Sequence, residues 1–172
     1  MAIYPFYTAG QRLTAANLQA GQFAVASKTA HTDRASNTTP ADDPELTFQL
    51  AANAIYTVEF YLNIASVTGG LVQTLWTVPS GATGNRTVFG PGQAATDTSA
   101  NNISMRSGVH AYSTSIVYGT RNSIGAQFFA METSLVTTTS AGTCAIKWAQ
   151  SVSNATATRM AQGSWARALR IQ

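Results

Sequence analysis

Charge is the first thing this sequence is short of. Charged residues make up 10% of the 172-residue chain, against about 25% in an ordinary soluble domain. Thr, Ser, Asn, Gln, Ala and Gly fill the gap, and few Lys and Glu means few strong formers of exposed helix. Cys144 is the single cysteine, which excludes an intrachain disulfide and a multi-thiolate metal site. Only His31 and His110 supply imidazole, and no Gly-x-Ser-x-Gly elbow accompanies them, so a Ser- or Cys-based hydrolase has little to build on. The chain has no Walker-type loop and no strand–Gly-x-Gly-x-x-Gly–helix unit for a phosphate. No apolar run approaches the roughly 20 residues of a membrane span. The N-terminal residues contain no basic segment followed by an apolar stretch, so no signal peptide and no membrane partner are expected.

The ten basic residues outnumber seven acids, giving a net charge of +3. They are scattered from Arg12 to Arg170 with no run or stripe, which argues against a nucleic-acid partner. A weakly charged surface suits a protein whose faces are covered by copies of itself or by neighbours. The acids His31 is grouped with (Asp33, Asp42, Asp43 and Glu45) lack metal-ligand spacing, and they read as a solvated loop from His31 to Pro44. No catalytic, cofactor-binding or metal-binding residue is assigned.

What the sequence does have is alternation. From Gln22 onward the apolar period is two. Phe23, Val25 and Ser27 alternate with small residues, as do Leu46, Phe48 and Leu50. The longest segment, 55–66, places Tyr56, Val58, Phe60, Leu62 and Ile64 on one face. Opposite them lie Thr57, Glu59, Tyr61 and Asn63, the pattern of an antiparallel strand with one face on a core. Further strands are expected at 71–78, 86–89, 102–106, 111–118, 126–138, 143–150, 156–161 and 164–171. Turn residues separate them, Pro79-Ser80-Gly81-Ala82-Thr83-Gly84-Asn85 above all. Nine or ten short strands with almost no helix predict an all-β protein, an antiparallel sandwich or jelly roll. Trp76, Trp148 and Trp165 could line a carbohydrate site, but each has apolar neighbours within its strand pattern and is expected in the core.

Two segments stand apart. In the first, 1–21, Thr14 is a natural N-cap, with Leu13 and Leu18 in the positions of a hydrophobic staple and Gly21 as the stop. A helix of two turns is unstable alone, so it should dock on its own domain or on a partner. Tyr4, Phe6 and Tyr7 just before it either pack on the domain's end or anchor the chain on a neighbour. The second is the last strand of the body, 22–172. Trp165, Arg167, Leu169 and Ile171 share one face, with Ala166, Ala168 and Arg170 on the other. Arg167 among apolar residues is either a snorkelling side chain or half of a buried ion pair at an interface.

Several stretches resemble small virion proteins of phages that infect actinobacteria. One is the opening Phe6-Tyr7-Thr8-Ala9-Gly10-Gln11-Arg12-Leu13-Thr14-Ala15-Ala16-Asn17-Leu18. Others are Asp43-Pro44-Glu45-Leu46, Trp76-Thr77-Val78-Pro79-Ser80-Gly81-Ala82-Thr83-Gly84 and Trp148-Ala149-Gln150-Ser151-Val152-Ser153-Asn154-Ala155-Thr156-Ala157-Thr158. The ending Gly163-Ser164-Trp165-Ala166-Arg167-Ala168-Leu169-Arg170-Ile171 is similar too. The resemblance implies a jelly roll like that of the tumour-necrosis-factor and C1q group, commonly a homotrimer on a capsid or tail. It implies a structural, non-enzymatic protein, made in the host cytoplasm and displayed on the virion surface. Tyr4, Phe6, Tyr7, Leu13 and Leu18 become candidates for attachment to the major capsid protein or tail proteins. Trp165, Arg167, Leu169 and Ile171 become candidates for the trimer interface. Capsid decoration is the leading expectation; a minor tail protein recognising a host surface glycan is the alternative.

Overall fold

A computed structural model describes residues 7–15, 18, 21–93 and 105–172. Among these residues the chain forms twelve strands: β1 (Ala24–Ser27), β2 (Thr32–Arg34), β3 (Ala41–Leu50), β4 (Ala54–Ser66), β5 (Val72–Thr77), β6 (Arg86–Pro91), β7 (Met105–His110), β8 (Ile116–Val117), β9 (Ser123–Thr138), β10 (Gly142–Gln150), β11 (Thr158–Met160) and β12 (Trp165–Arg170). They make two antiparallel sheets. The larger has eight strands in the order β1-β12-β4-β9-β6-β7, with β11 and β2 continuing beside β4. The smaller has four, in the order β3-β10-β5-β8.

The pairing is nested. β5 pairs β8, β4 pairs β9, β3 pairs β10, β2 pairs β11 and β1 pairs β12; the first three pairs alternate between the sheets, and the last two both lie in the large one. Such an arrangement is one long antiparallel hairpin wound up on itself, with β6 and β7 as an excursion near its tip.

Period two explains the core. On β4, Tyr56, Val58, Phe60, Leu62 and Ile64 are all buried, while the residues between them are half-exposed. They meet Leu46, Phe48 and Leu50 of β3, Val72 and Trp76 of β5, and Cys144, Ile146 and Trp148 of β10 in one cluster. Phe60 contacts Trp76 edge-on, with ring centroids 4.8 Å apart, a favoured aromatic geometry. Trp76 and Trp148 are therefore core residues, in line with their apolar neighbours in the strand pattern. Burial also pushes the Cys144 thiol up to about 12, so the single cysteine is protonated and inert at neutral pH. At Pro79-Ser80-Gly81-Ala82 the Ala82 N–H donates to the Pro79 carbonyl at 3.0 Å. Gly81 has φ +74° there, the backbone that the third position of a type II turn demands.

Two strand expectations need correction. The stretch 31–44 is not one solvated loop: β2 occupies its beginning, and β3 begins at Ala41 and runs through Pro44. Pro44 is tolerated because β3 is an edge strand, and the register with β10 skips between Ala145 and Lys147 at that level, where a missing N–H costs no ladder bond. The strand expected at 111–118 contracts to Ile116–Val117. Around it the chain bonds to β5 through single contacts, Trp76 N–H to the Tyr112 carbonyl and Tyr118 N–H to the Val72 carbonyl, each 3.0 Å.

In the first segment, the Leu18 N–H donates to the Thr14 carbonyl at 3.1 Å and the Gly21 N–H to the Leu18 carbonyl at 3.3 Å. Residues 16, 17, 19 and 20 of the expected helix lie outside the described residues, as do Tyr4 and Phe6.

A candidate assembly surface on the large sheet

The outer face of the eight-stranded sheet follows from the same alternation, one residue out of phase with the core. On β12, Ala166 and Ala168 face inward and are buried, so Trp165, Arg167 and Leu169 face outward; Trp165, expected in the core, is instead half-exposed and stacks on Tyr61. β12 lies between β1 and β4, which puts these three in the interior of the sheet rather than at an edge. Cross-strand register then fixes their neighbours. One row reads Ser27, Trp165, Tyr61, Met131, Phe89 across β1, β12, β4, β9 and β6. The next reads Val25, Arg167, Glu59, Thr133, Thr87, Val109 out to β7. A third carries Leu169, Thr57 and Leu135.

Most of this face is apolar, and much of it is uncovered. Phe23, Val25, Phe89, Val109, Phe129 and Leu135 all exceed 40% or sit at 40% exposure. The aromatic groups are ordered against one another. Tyr61 and Trp165 stack with centroids 3.9 Å apart and planes 7° from parallel, and Phe129 lies 6.2 Å beyond Tyr61. Same-face pairs of this kind stabilise a sheet by a few tenths of a kcal/mol to about 1 kcal/mol each.

Arg167 sits at the centre. Its Nε donates to Glu59 Oε2 at 2.6 Å, and the Tyr61 hydroxyl donates to the same oxygen at 2.8 Å. Its guanidinium lies 4.8 Å from the Phe23 ring centroid and 5.8 Å from that of Trp165, within cation–π range. The Arg167 hydrogen bond holds the Glu59 carboxyl below its ordinary value, and the Glu59 carboxylate raises the Tyr61 hydroxyl in turn. Arg167 forms an ion pair with Glu59, but not the buried pair expected: both side chains keep part of their surface in solvent.

Trp165, Arg167 and Leu169 thus share one surface. Ile171 falls just past the end of β12, half-buried, where its N–H donates to the Ile55 carbonyl at 2.8 Å. Of the attachment candidates, Tyr7, Leu13 and Leu18 are exposed. The sequence reading missed Phe89, Phe129, Leu135 and Val109, which complete the face. Its own strand at 126–138 held the signal, since Phe129, Met131, Thr133 and Leu135 are two apart.

Sequence reading also missed two polar clusters in the interior. In one, the buried Glu132 carboxylate pairs with the buried Arg86 guanidinium. It also accepts bonds from Thr74 Oγ1, from Trp76 Nε1 at 2.7 Å and from the Tyr118 hydroxyl at 2.7 Å. Burial, with the nearby Glu132 charge, pushes the Tyr118 hydroxyl well above its ordinary value of 10.0. In the other, Lys28 meets Asp43 and Glu45. Neither was visible to a one-dimensional pattern: Arg86 and Glu132 stand 46 positions apart, and Lys28 reaches Asp43 across the intervening β2.

One concavity lies where β6, β7 and β8 converge, with a volume of about 300 Å³ and walls that include Gly90, Arg106, His110, Ser115 and Tyr118. Among the described residues no three His, Cys, Asp or Glu side chains come together as a metal-binding group. Compared with known protein families, curated proteins and solved structures, the chain matches none.

Proposed function

We propose that this chain is a non-catalytic structural protein of a bacteriophage particle, a homotrimeric decoration protein that binds and stabilises the capsid surface. The observation that carries the assembly half of this reading is the ordered apolar outer face of the large sheet. Six strands about 4.8 Å apart and some 20 Å of strand length give it a footprint on the order of 500 Å², the upper end of what monomers leave uncovered. Its composition is that of an interface core, with aromatic residues, Met and one Arg. The occupant we assign is a second copy of the same chain, since the face carries its single ion pair already satisfied and offers no unpaired charge for a differently charged partner.

The body is a jelly roll. What supports this is the nested pairing, which sets β3-β10-β5-β8 opposite β1-β12-β4-β9 as the two four-stranded halves of a roll, with β6 and β7 added at one edge. Residues 1–21 form the attachment arm, with its short helix beginning at Thr14. Exposed Leu13 and Leu18 support that role, because apolar side chains on a terminal segment gain from burial on a neighbour. The placement on a phage rests on the resemblance of the opening, the turn segment and the ending to actinobacteriophage virion proteins.

The test is binding of the purified protein to capsids that lack it. Deleting residues 1–21 should abolish capsid binding and leave a soluble trimer by sedimentation. The competing reading, a tail-tip protein that recognises host glycan, is favoured by the concavity beside His110. Binding to host cells but not to capsids would replace the decoration reading with it.

A further inference from the structure

Two ion pairs among the described residues have both side chains fully buried, Arg86–Glu132 and Lys28–Asp43. They differ in chemistry. A guanidinium cannot lose its proton in a protein, whereas a buried Lys can become a neutral nucleophilic amine. The Lys28 pair also has a second carboxylate against it. Lys28 Nζ lies 3.0 and 3.1 Å from the two oxygens of Asp43 and 2.9 Å from Glu45 Oε2. With both Asp43 oxygens in contact with Nζ, the carbon between them is the carboxyl carbon held against the amine.

The surroundings hold that geometry. The Lys28 backbone is bonded on both sides, its N–H to the Ser164 carbonyl at 2.8 Å and its carbonyl to the Gly163 N–H at 3.2 Å. Asp43 Oδ1 accepts the N–H groups of Glu45 and Leu46 at 3.0 and 3.1 Å. Asp43 Oδ2 accepts Trp148 Nε1 at 3.1 Å, and Thr32 Oγ1 accepts from Nζ at 2.9 Å. Three N–H donors fixed on a carboxyl group are what a tetrahedral oxyanion formed there would need. Glu45 differs from its two partners: its side chain is 29% exposed, so it touches both the amine and solvent. Thr29 holds its other oxygen through N–H and hydroxyl bonds of 2.8 and 2.6 Å.

We propose that Lys28 and Asp43 join covalently, as an intramolecular isopeptide bond whose formation Glu45 assists by relaying protons. One proton passes from the Lys28 ammonium to the Asp43 carboxylate, leaving a neutral amine and a neutral acid. The amine lone pair attacks Asp43 Cγ and the Nζ–Cγ bond forms. Glu45 takes a second proton from Nζ and delivers it to the departing Asp43 oxygen. The Cγ–O bond breaks, one water leaves on the Glu45 side, and the third proton stays as the amide N–H. No electrons are gained or lost. The product replaces two desolvated charges with one neutral amide and ties the residue that follows β1, in the large sheet, to β3, in the small one.

The experiment is intact-mass measurement of the purified full-length chain after denaturation, followed by tryptic digestion. The expected mass is one water lower than that of the unmodified chain calculated from its sequence. Trypsin should then fail to cut after Lys28, giving the peptide 13–34 joined to 35–86. Glu45→Gln, which keeps the shape of the site, should slow bond formation at least about 100-fold, the loss expected for a proton relay. Lys28→Arg, which keeps the positive charge, should show the unmodified mass. A wild-type mass with no water lost overturns the proposal. So does a lost water with normal cleavage after Lys28, which would mark a cyclised aspartate. Complete bond formation in Glu45→Gln overturns the relay.

Discussion

The two faces of the large sheet are made by the same strands one residue out of phase, yet they solve different problems. The inner face of β4, β9 and β12 carries Val58, Phe60, Leu62, Ala130, Val136, Ala166 and Ala168, covered by the small sheet. The outer face carries Tyr61, Phe129, Met131, Leu135, Trp165 and Leu169 and lies open. Charge is treated oppositely as well. Inside, Glu132 is fully buried and satisfied by Arg86, Thr74, Trp76 and Tyr118; outside, Glu59 and Arg167 keep contact with solvent. Apolar content alone therefore does not tell an inner face from an outer one. The small inward residues of β12 do, since Ala166 and Ala168 let the second sheet approach closely while Trp165 is turned away.

That contrast can be broken from the inside first. Glu132→Ala leaves the Arg86 charge buried without its partner and should cost about 3–5 kcal/mol of unfolding free energy in urea titration. A loss under about 1 kcal/mol would mean the network is not a buried charge pair. On the outside, the double substitution Phe129→Glu with Leu135→Glu should leave monomer stability within about 0.5 kcal/mol for each site. It should nonetheless convert the assembled species to monomer in sedimentation, and remove any dependence of Tm on protein concentration. A variant that stays assembled would move the interface to another surface.

The smallest effect concerns the outer ion pair. The Arg167 hydrogen bond lowers the folded-state pKa of Glu59 from its ordinary 4.5, so the pair stabilises the fold above that value and the contribution is lost as pH falls through the folded value. The stability gap between the wild-type chain and Glu59→Gln should be constant at neutral pH and close on acidification below 4.5. A gap that widens in acid would reverse the sign and remove Arg167 as its cause. Added salt should narrow the gap at neutral pH, because both side chains are partly exposed.

Much of the fold could be read from the chain. The 55–66 strand, its inward set from Tyr56 to Ile64 and the turn around Gly81 come from local rules: alternation, and a backbone conformation suited to glycine. The 31–44 stretch was misread because Asp, Asn and Pro are turn formers by composition. At an edge strand those preferences yield to pairing with β10, and Asp43 is drawn inward by Lys28 and Trp148. Of the candidate surface, the β12 residues were legible and Phe89, Phe129 and Leu135 were not joined to them. Joining them requires knowing that β4 lies between β9 and β12.

By itself, then, the sequence determined that the chain forms strands, which side chains alternate, and that thiol chemistry has a single cysteine to work with. Side-chain period and turn chemistry are local, so a linear reading captures them. Only the tertiary structure decided which strands are neighbours, which apolar face is covered, and that Lys28 stands between Asp43 and Glu45. Those outcomes depend on contacts between residues remote along the chain, whose partners are chosen when the two sheets close on one core.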